Sequence, residues 1–169
     1  TLAVSCGHAG TVAMLIRRGA DVEKAPRSGF GKMPLVHVIP ANHVDEILPL
    51  LHAAGLDIDA VNNSGRTALY EAVQMQDLPK AKALLALGAK VDLADNYGDR
   101  PIDAALQSVA YSYSRLTPEH REMVAVLLAA GANPDIAPSG RVNESPLHQA
   151  AKNGDPDIIR MLLAHHARV

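Results

Sequence analysis

The sequence predicts an all-α repeat solenoid, and three observations carry that expectation. A short segment recurs after each long apolar run: GADVEK (19–24), GLDIDA (55–60), GAKVDL (88–93), GANPDI (131–136) and a degraded HARV (166–169), spaced by 36, 33, 43 and 35 residues. A second segment keeps the same phase between them, as KMPLVHVI (32–39), RTALYEAV (66–73), DRPIDAAL (99–106) and ESPLHQAA (144–151). The composition agrees: 48% of residues are hydrophobic but only 3% aromatic, with one Phe and no Trp. Small aliphatic residues suit close helix packing better than a β-sandwich.

The phase divides the chain into five units, 1–24, 25–60, 61–93, 94–136 and 137–169, the first and last incomplete. In each, a short inner helix starts at the second segment. Thr67 and Ser145 can accept an N-terminal amide there. Pro34, Pro101 and Pro146 sit where a first-turn proline loses no hydrogen bond. Ala104, Ala105, Ala150 and Ala151 keep these helices slim. The outer helices follow, opened by Thr117-Pro118-Glu119 and Asp155-Pro156-Asp157, which place a cap, a proline and an acid at the positive helix end. Met123, Val124, Val126, Leu127 and Leu128, then Ile158, Ile159, Met161, Leu162 and Leu163, have helical spacing, and Leu127 and Leu162 are expected in the core. Gly19, Gly55, Gly88 and Gly131 end the outer helices, with positive φ expected.

These motifs resemble the ankyrin-repeat family, whose period is about 33 and whose signature is T-P-L-H-x-A. The match is strongest over SPLHQAAKNGDPDIIRMLLAHHARV (145–169), and LAVSCGHAGTVAMLIRRGADVEK (2–24), with its Gly7-His8 pair, fits the second half of a repeat. The resemblance covers the whole chain. It implies helix-turn-helix units linked by hairpin fingers, with Gly65 and Gly98 at the tips or returns. His8 and His148 fall where the family places a histidine that binds loop backbone.

Several positions depart from the pattern. In unit two, Val36 replaces the histidine, Asn42-His43 replaces Gly-His, and Pro49 falls inside the outer helix, predicting a kink or a late start. This makes unit two the softest internal unit. The fingers 24–31 and 136–143 are each two residues longer than the period allows. Unit four has about ten extra residues between its helices (107–118). Ile102, Ala105, Leu106, Val109 and Tyr113 keep helical spacing, so this insertion reads as a lengthened inner helix and a short loop, with Tyr111 off the stripe.

No catalytic, cofactor or metal constellation is legible. None of the eight histidines forms H-E-x-x-H, and His165-His166 point about 100° apart on a helix, a poor chelate. Cys6, the only cysteine, reads as a small buried hydrophobe. SGFGK (28–32) lacks the full phosphate-loop spacing. Asp95, Asp99 and Asp103 straddle Gly98 and Pro101, which reads as a solvated acidic finger rather than a calcium loop. A net charge of −2 argues against general nucleic-acid binding. No apolar run approaches the ~18 residues of a membrane span.

What remains is a binding surface. A stacked array leaves an extended concave face, and the family resemblance implies that partners dock at finger tips and on the inner helix just after T-P-L. Those positions are Arg27, Phe30, Lys32 and His37 in unit two, and Asn63, Ser64, Arg66 and Glu71 in unit three. They are Asn96, Tyr97, Asp99 and Asp103 in unit four, and Ser139, Arg141, Glu144 and Gln149 in unit five. Phe30 and Tyr97 are the aromatic anchors, although Phe30 can equally fold back over its own long finger. Residues 1–40 carry a net charge of +3 and residues 41–60 a net charge of −4. That division can orient a partner, but solvated faces explain it as well. The expectation is a non-enzymatic module that binds a protein partner, neither nucleic acid nor membrane, as a monomer. Alternatives are the regulatory or substrate-recruiting part of a larger enzyme or bacterial effector, and a scaffold that self-associates end to end. Both ends cut through a repeat motif, as in a fragment of a longer chain. A single cysteine permits the cytoplasm, which is favoured, the periplasm or a host cell.

Overall fold

Three helix starts in this protein are set by residues that take up an orphaned amide. Ser145 Oγ accepts from the His148 amide, Thr67 Oγ1 from Tyr70, and the Asp155 carboxylate from both Asp157 and Ile158. In the computed structural model, which describes residues 2–23, 27–28, 31–32, 34–107, 117–135 and 144–168, these caps open helices where the motifs place them. The elements are α1 (Leu2–Ser5), α2 (Ala9–Arg17), β1 (Arg27–Ser28), β2 (Gly31–Lys32), 3-10 turns at Leu35–Val38 and Ala41–His43, and α3 (Val44–Ala53). They continue as α4 (Ala68–Gln74), α5 (Leu78–Ala86), α6 (Pro101–Gln107), α7 (Pro118–Ala129), α8 (Pro146–Asn153) and α9 (Pro156–Ala164). The all-α repeat architecture is therefore as the sequence predicts, with, among the described residues, one two-residue antiparallel hairpin in the second finger, where Arg27 faces Lys32.

The chain forms two compact units, residues 1–71 with 79–90, and residues 72–78 with 91–169. In the first, α1 packs on α2 and on the 3-10 turn Leu35–Val38, while α2 packs on α3. Val12, Val36, Ile47, Leu48, Leu51 and Leu69 fill its core. In the second, α6 packs on α7 and α8, and α7 on α9, around Ile102, Leu106, Met123, Leu127, Ile158 and Leu162. Inner elements thus stack on inner, and outer on outer. Leu127 and Leu162 are fully buried as expected, each contributing roughly 1.5–3 kcal/mol of apolar burial.

Gly19, Gly55, Gly88 and Gly131 all have φ between +80 and +91, as their place after an outer helix predicts. His166 takes the same place with φ +67, and Gln76 is left-handed at φ +57 in the turn between α4 and α5. The corresponding turn residue after α1, Gly7, has φ +73, and a Cβ there would collide with the His43 ring.

Three expectations need correction. In unit two the inner helix is only the 3-10 turn Leu35–Val38, and the outer helix runs through Pro49 from Val44 without a late start. Pro49 is exposed there. Cys6 is exposed rather than buried, because α1 ends at Ser5 and Cys6 opens the turn that follows. Asp95, Asp99 and Asp103 are 7%, 4% and 0% exposed, so they are not a solvated acidic finger. The lengthened helix expected for the insertion, with Val109, Tyr111 and Tyr113, lies outside the described residues beyond Gln107.

Finger bases are tied from repeat to repeat by one recurring hydrogen bond. Four residues after each glycine stop stands an acid, and its carboxylate accepts the amide of the residue two positions past the next stop. The four rungs are Glu23 to the Asp57 amide (2.6 Å), Asp59 to Lys90 (2.9 Å), Asp92 to Asn133 (3.1 Å) and Asp135 to Arg168 (2.6 Å). Asp57 and Asn133 also close the local turn, accepting the amides of Asp59 and Asp135. Each exposed rung contributes about 0.5–1.5 kcal/mol.

Candidate protein-interaction surface

Two finger tips are described in full, and they are built alike. In the first unit, Asn62 Oδ1 accepts the amides of Ser64 (2.9 Å) and Arg66 (3.1 Å), while the Asn62 amide donates to Arg66 O (3.0 Å). In the second, Asp95 Oδ1 accepts from Tyr97 (2.8 Å) and Asp99 (3.1 Å), and the Asp95 amide donates to Asp99 O (2.8 Å). Gly65 and Gly98 sit at the return of each turn with φ +73 and +83. Asn and Asp suit this place because a short side-chain oxygen can replace water on two turn amides at once. The backbone is thereby fixed, and the residues between are pushed outward. Asn63, Asn96 and Tyr97 are exposed, Tyr97 at 45%. Arg66 is half-buried with its guanidinium 4.8 Å from the centre of the Tyr70 ring.

The other expected contact positions divide. Glu144 is half-buried and pairs with Lys152 at 3.2 Å. Arg27 and Lys32 pair through the hairpin backbone, while their side chains, together with Phe30, Ser139 and Arg141, lie outside the described residues. Asp99, Asp103, Gln149 and His37, placed on the contact face by the motif, are instead inside the fold. Asp99 is drawn in by the turn it closes. Gln149 is 5% exposed and donates to Glu144 O. Asp103 accepts Arg100 Nε and Nη2 at 3.0 and 3.2 Å and the Arg100 amide at 3.0 Å, a buried pair at the start of α6. Arg100 Nη1 then reaches Asn133 O.

Glu71 is also engaged. Its Oε2 lies 2.6 Å from His37 Nδ1 and its Oε1 accepts from Asn62 Nδ2 at 2.6 Å. Burial works to raise this carboxyl, but the hydrogen bond and charge of His37, with Lys80 and Asn62, outweigh it and hold Glu71 below the usual carboxylate range. His37 Nε2 meets Ala60 O at 2.9 Å. The histidine that binds finger backbone is therefore His37, not the two that the family resemblance marked. His8 is exposed, and His148 bonds the hydroxyl of its own cap, Ser145, at 2.8 Å. The signal for His37 is a glutamate 34 residues on, nearly one repeat period, at the matching inner helix.

Among the described residues no group of three or more His, Cys, Asp or Glu side chains could hold a metal ion. None of their helices is long and apolar enough to cross a membrane.

Fold and surface together define a helical repeat protein in which helix pairs are joined by finger turns closed by Asn62 and Asp95. Models of ankyrin repeats match residues 1–95 and 42–137 (three copies) and residues 113–163 (many copies). The chain belongs to the ankyrin-repeat family, whose repeats are general protein-interaction modules. An ankyrin repeat domain from Acinetobacter baumannii AYE superposes with a TM-score of 0.82 at 26% identity, covering 98% of this chain and 80% of that one. Similar sequences include the mouse B-cell lymphoma 3 protein homolog, 32% identical over 62% of this chain, and human inversin, 27% identical over 96%. The phosphocholine transferase AnkX of Legionella pneumophila is 27% identical over 63%. The chain spans only 23%, 14% and 11% of these three relatives.

Proposed function

We propose that this chain is a non-enzymatic interaction module that binds a protein partner through its finger tips. The observation that carries the reading is the pairing of a locked turn with an outward side chain. Asn62 and Asp95 each fix two turn amides, so Asn63, Asn96, Tyr97 and the flanking Arg66 are offered with little ordering left to pay on association. Tyr97 adds a large rigid surface with few torsions to freeze. Arg27, Phe30, Lys32 and Arg141, on the two longer fingers, extend the proposed contact set, with Glu144 at its edge.

The test is photo-crosslinking from Tyr97 and Asn63 in the native host, with Arg160 on the exposed side of α9 as control. One partner captured from the finger positions and not from Arg160 supports the reading. Its affinity for purified protein should then fall about tenfold or more in Arg66→Ala with Tyr97→Ala, or ~1.4 kcal/mol. Capture from Arg160 alone, or turnover of a substrate by the purified chain, would sink it.

A second reading is favoured by the small share of each relative that this chain matches, one of them named as a phosphocholine transferase. In it, the array recruits substrates for, or regulates, a larger enzyme or effector. Sequencing the complete reading frame discriminates, since a catalytic domain would then lie outside residues 1–169.

A further inference from the structure

The repeat-three finger is held from beneath by side chains that begin on the preceding repeat. The His37 side chain is 1% exposed. Its Nδ1 meets Glu71 Oε2 and its Nε2 meets Ala60 O. The other Glu71 oxygen accepts from Asn62 Nδ2, and Asn62 Oδ1 accepts the Ser64 and Arg66 amides. Ring, carboxylate, carboxamide and two finger amides therefore form one continuous relay.

Both partners of the ring are acceptors: a carbonyl, which has no proton to give, and an ionised carboxylate. A neutral imidazole has one N–H and can satisfy one of them. Its remaining lone pair then faces an oxygen at contact distance in a place closed to water, where an unmade bond is expensive. Only the imidazolium satisfies both.

We infer that the His37–Glu71–Asn62 relay makes the order of the repeat-three finger depend on a proton on each nitrogen of His37, so that presentation of Asn63 and Arg66 responds to pH. The inference rests on the reading of the fingers as the contact surface. The charged groups that meet the ring's surroundings are Glu71 on α4 and Lys80 on α5, whose Nζ donates to the carbonyl of His37 itself at 3.2 Å. Lys80 opposes a second positive charge here and Glu71 offsets it. Glu71, held below the usual carboxylate range, stays ionised while an imidazole titrates. When the ring gives up its second proton to more basic solution, one bond of the relay is lost. The finger is ordered while both ring nitrogens carry a proton and loosens once one is lost.

The experiment uses the protein without a partner. His37 ring nitrogens are followed by NMR from about pH 5 to 9, alongside exchange protection of the Ser64 and Arg66 amides corrected for intrinsic rates. Protection should fall on the order of tenfold in step with His37 deprotonation. The equivalent Tyr97 and Asp99 amides, closed by Asp95 with no histidine in the turn, should stay level and serve as internal controls. In Glu71→Gln the side-chain amide can rotate to donate to a neutral ring, so the step should vanish with protection retained. In His37→Gln protection should be low and level throughout. A level wild-type profile across the His37 titration overturns the inference, as does an unchanged step in Glu71→Gln. Because no partner is present, the step can appear even where crosslinking from the fingers fails, which would remove the contact surface and leave the relay standing.

Discussion

The ammonium of Lys80 donates to the main-chain carbonyl of Ile39 at 3.0 Å, and to that of His37 at 3.2 Å. Lys80 lies on α5 of repeat three and is only 8% exposed. Ile39 follows the 3-10 turn that replaces the inner helix of repeat two. A 3-10 turn of four residues leaves carbonyls at its end without helical partners, and Lys80 takes two of them. The divergent repeat is thus capped by its neighbour.

Removing that cap should cost stability. Lys80→Met keeps the aliphatic stem and deletes the donor, leaving both carbonyls without it. Urea unfolding should show a loss of about 1–3 kcal/mol. Hydrogen exchange should place the loosening in residues 35–43. A loss under ~0.5 kcal/mol would mean that water serves these carbonyls equally well.

Leu127 tests the stacking of outer helices. It is fully buried, whereas Leu163 is 42% exposed. Leu127→Ala should cost about 2–5 kcal/mol by lost burial and a residual cavity. Leu163→Ala should stay within about 0.5 kcal/mol. Equal effects of the two variants would refute the helix register described.

Gln76 offers the opposite sign. Its φ of +57 is unfavourable for a side chain, and its Oε1 is buried without a hydrogen-bond partner. Gln76→Gly should stabilise the protein by about 0.5–1 kcal/mol, less whatever the weak bond from Nε2 to Val73 O contributes. Gln76→Ala keeps the strained backbone and should not stabilise to the same degree. Thermal denaturation of both variants separates backbone relief from side-chain loss.

Asp155 gives a pH prediction. Burial pushes its carboxyl up, but the bond from Arg121 and the amides of Ile158 and Asp157 prevail and lower it. A carboxylate depressed in the folded state contributes stability that is present above its unfolded value, near 3.9. That contribution is lost as pH falls through the lower folded value. Asp155→Asn keeps a capping oxygen and removes the titration, so its stability should fall less steeply between about pH 5 and 2. Asp155→Ala, lacking the cap, should cost about 1 kcal/mol at neutral pH. A parallel acid slope in wild type and Asp155→Asn would assign the dependence to other carboxylates.

Local features were legible in the sequence because they are local. Ser145, Asp155 and the glycine stops act on amides or torsions within a few residues, and the two phased motifs report the period directly. Lys80, His37 and Glu71 were not legible, because their partners lie 34 to 43 residues away and depend on how one repeat lies on the next. Asp99 and Asp103 were misread for a related reason. Charge suggests solvent, but Asp99 is bound into its own turn and Asp103 is spent on Arg100. Tyr97 is exposed at a finger tip, as the family resemblance implies, and the turn that carries it is closed by Asp95 two residues earlier.

The carboxylate rungs along the finger bases also determine where this chain can grow. Three rungs join residues 31 to 34 apart, but Asp92 and Asn133 are 41 apart and still meet at 3.1 Å. The extra length of repeat four falls in the sequence between Gln107, which ends α6, and Thr117, which precedes α7, and not between a stop glycine and its acid. The array therefore has a measured edge and an unmeasured one. Sequence spliced into the unmeasured edge costs little beyond loop closure, about 0.6 kcal/mol for each doubling of length. The same residues added between a stop glycine and its acid would break a rung. Evolution, or an engineer, can graft a new segment at the helix turns without re-solving the fold.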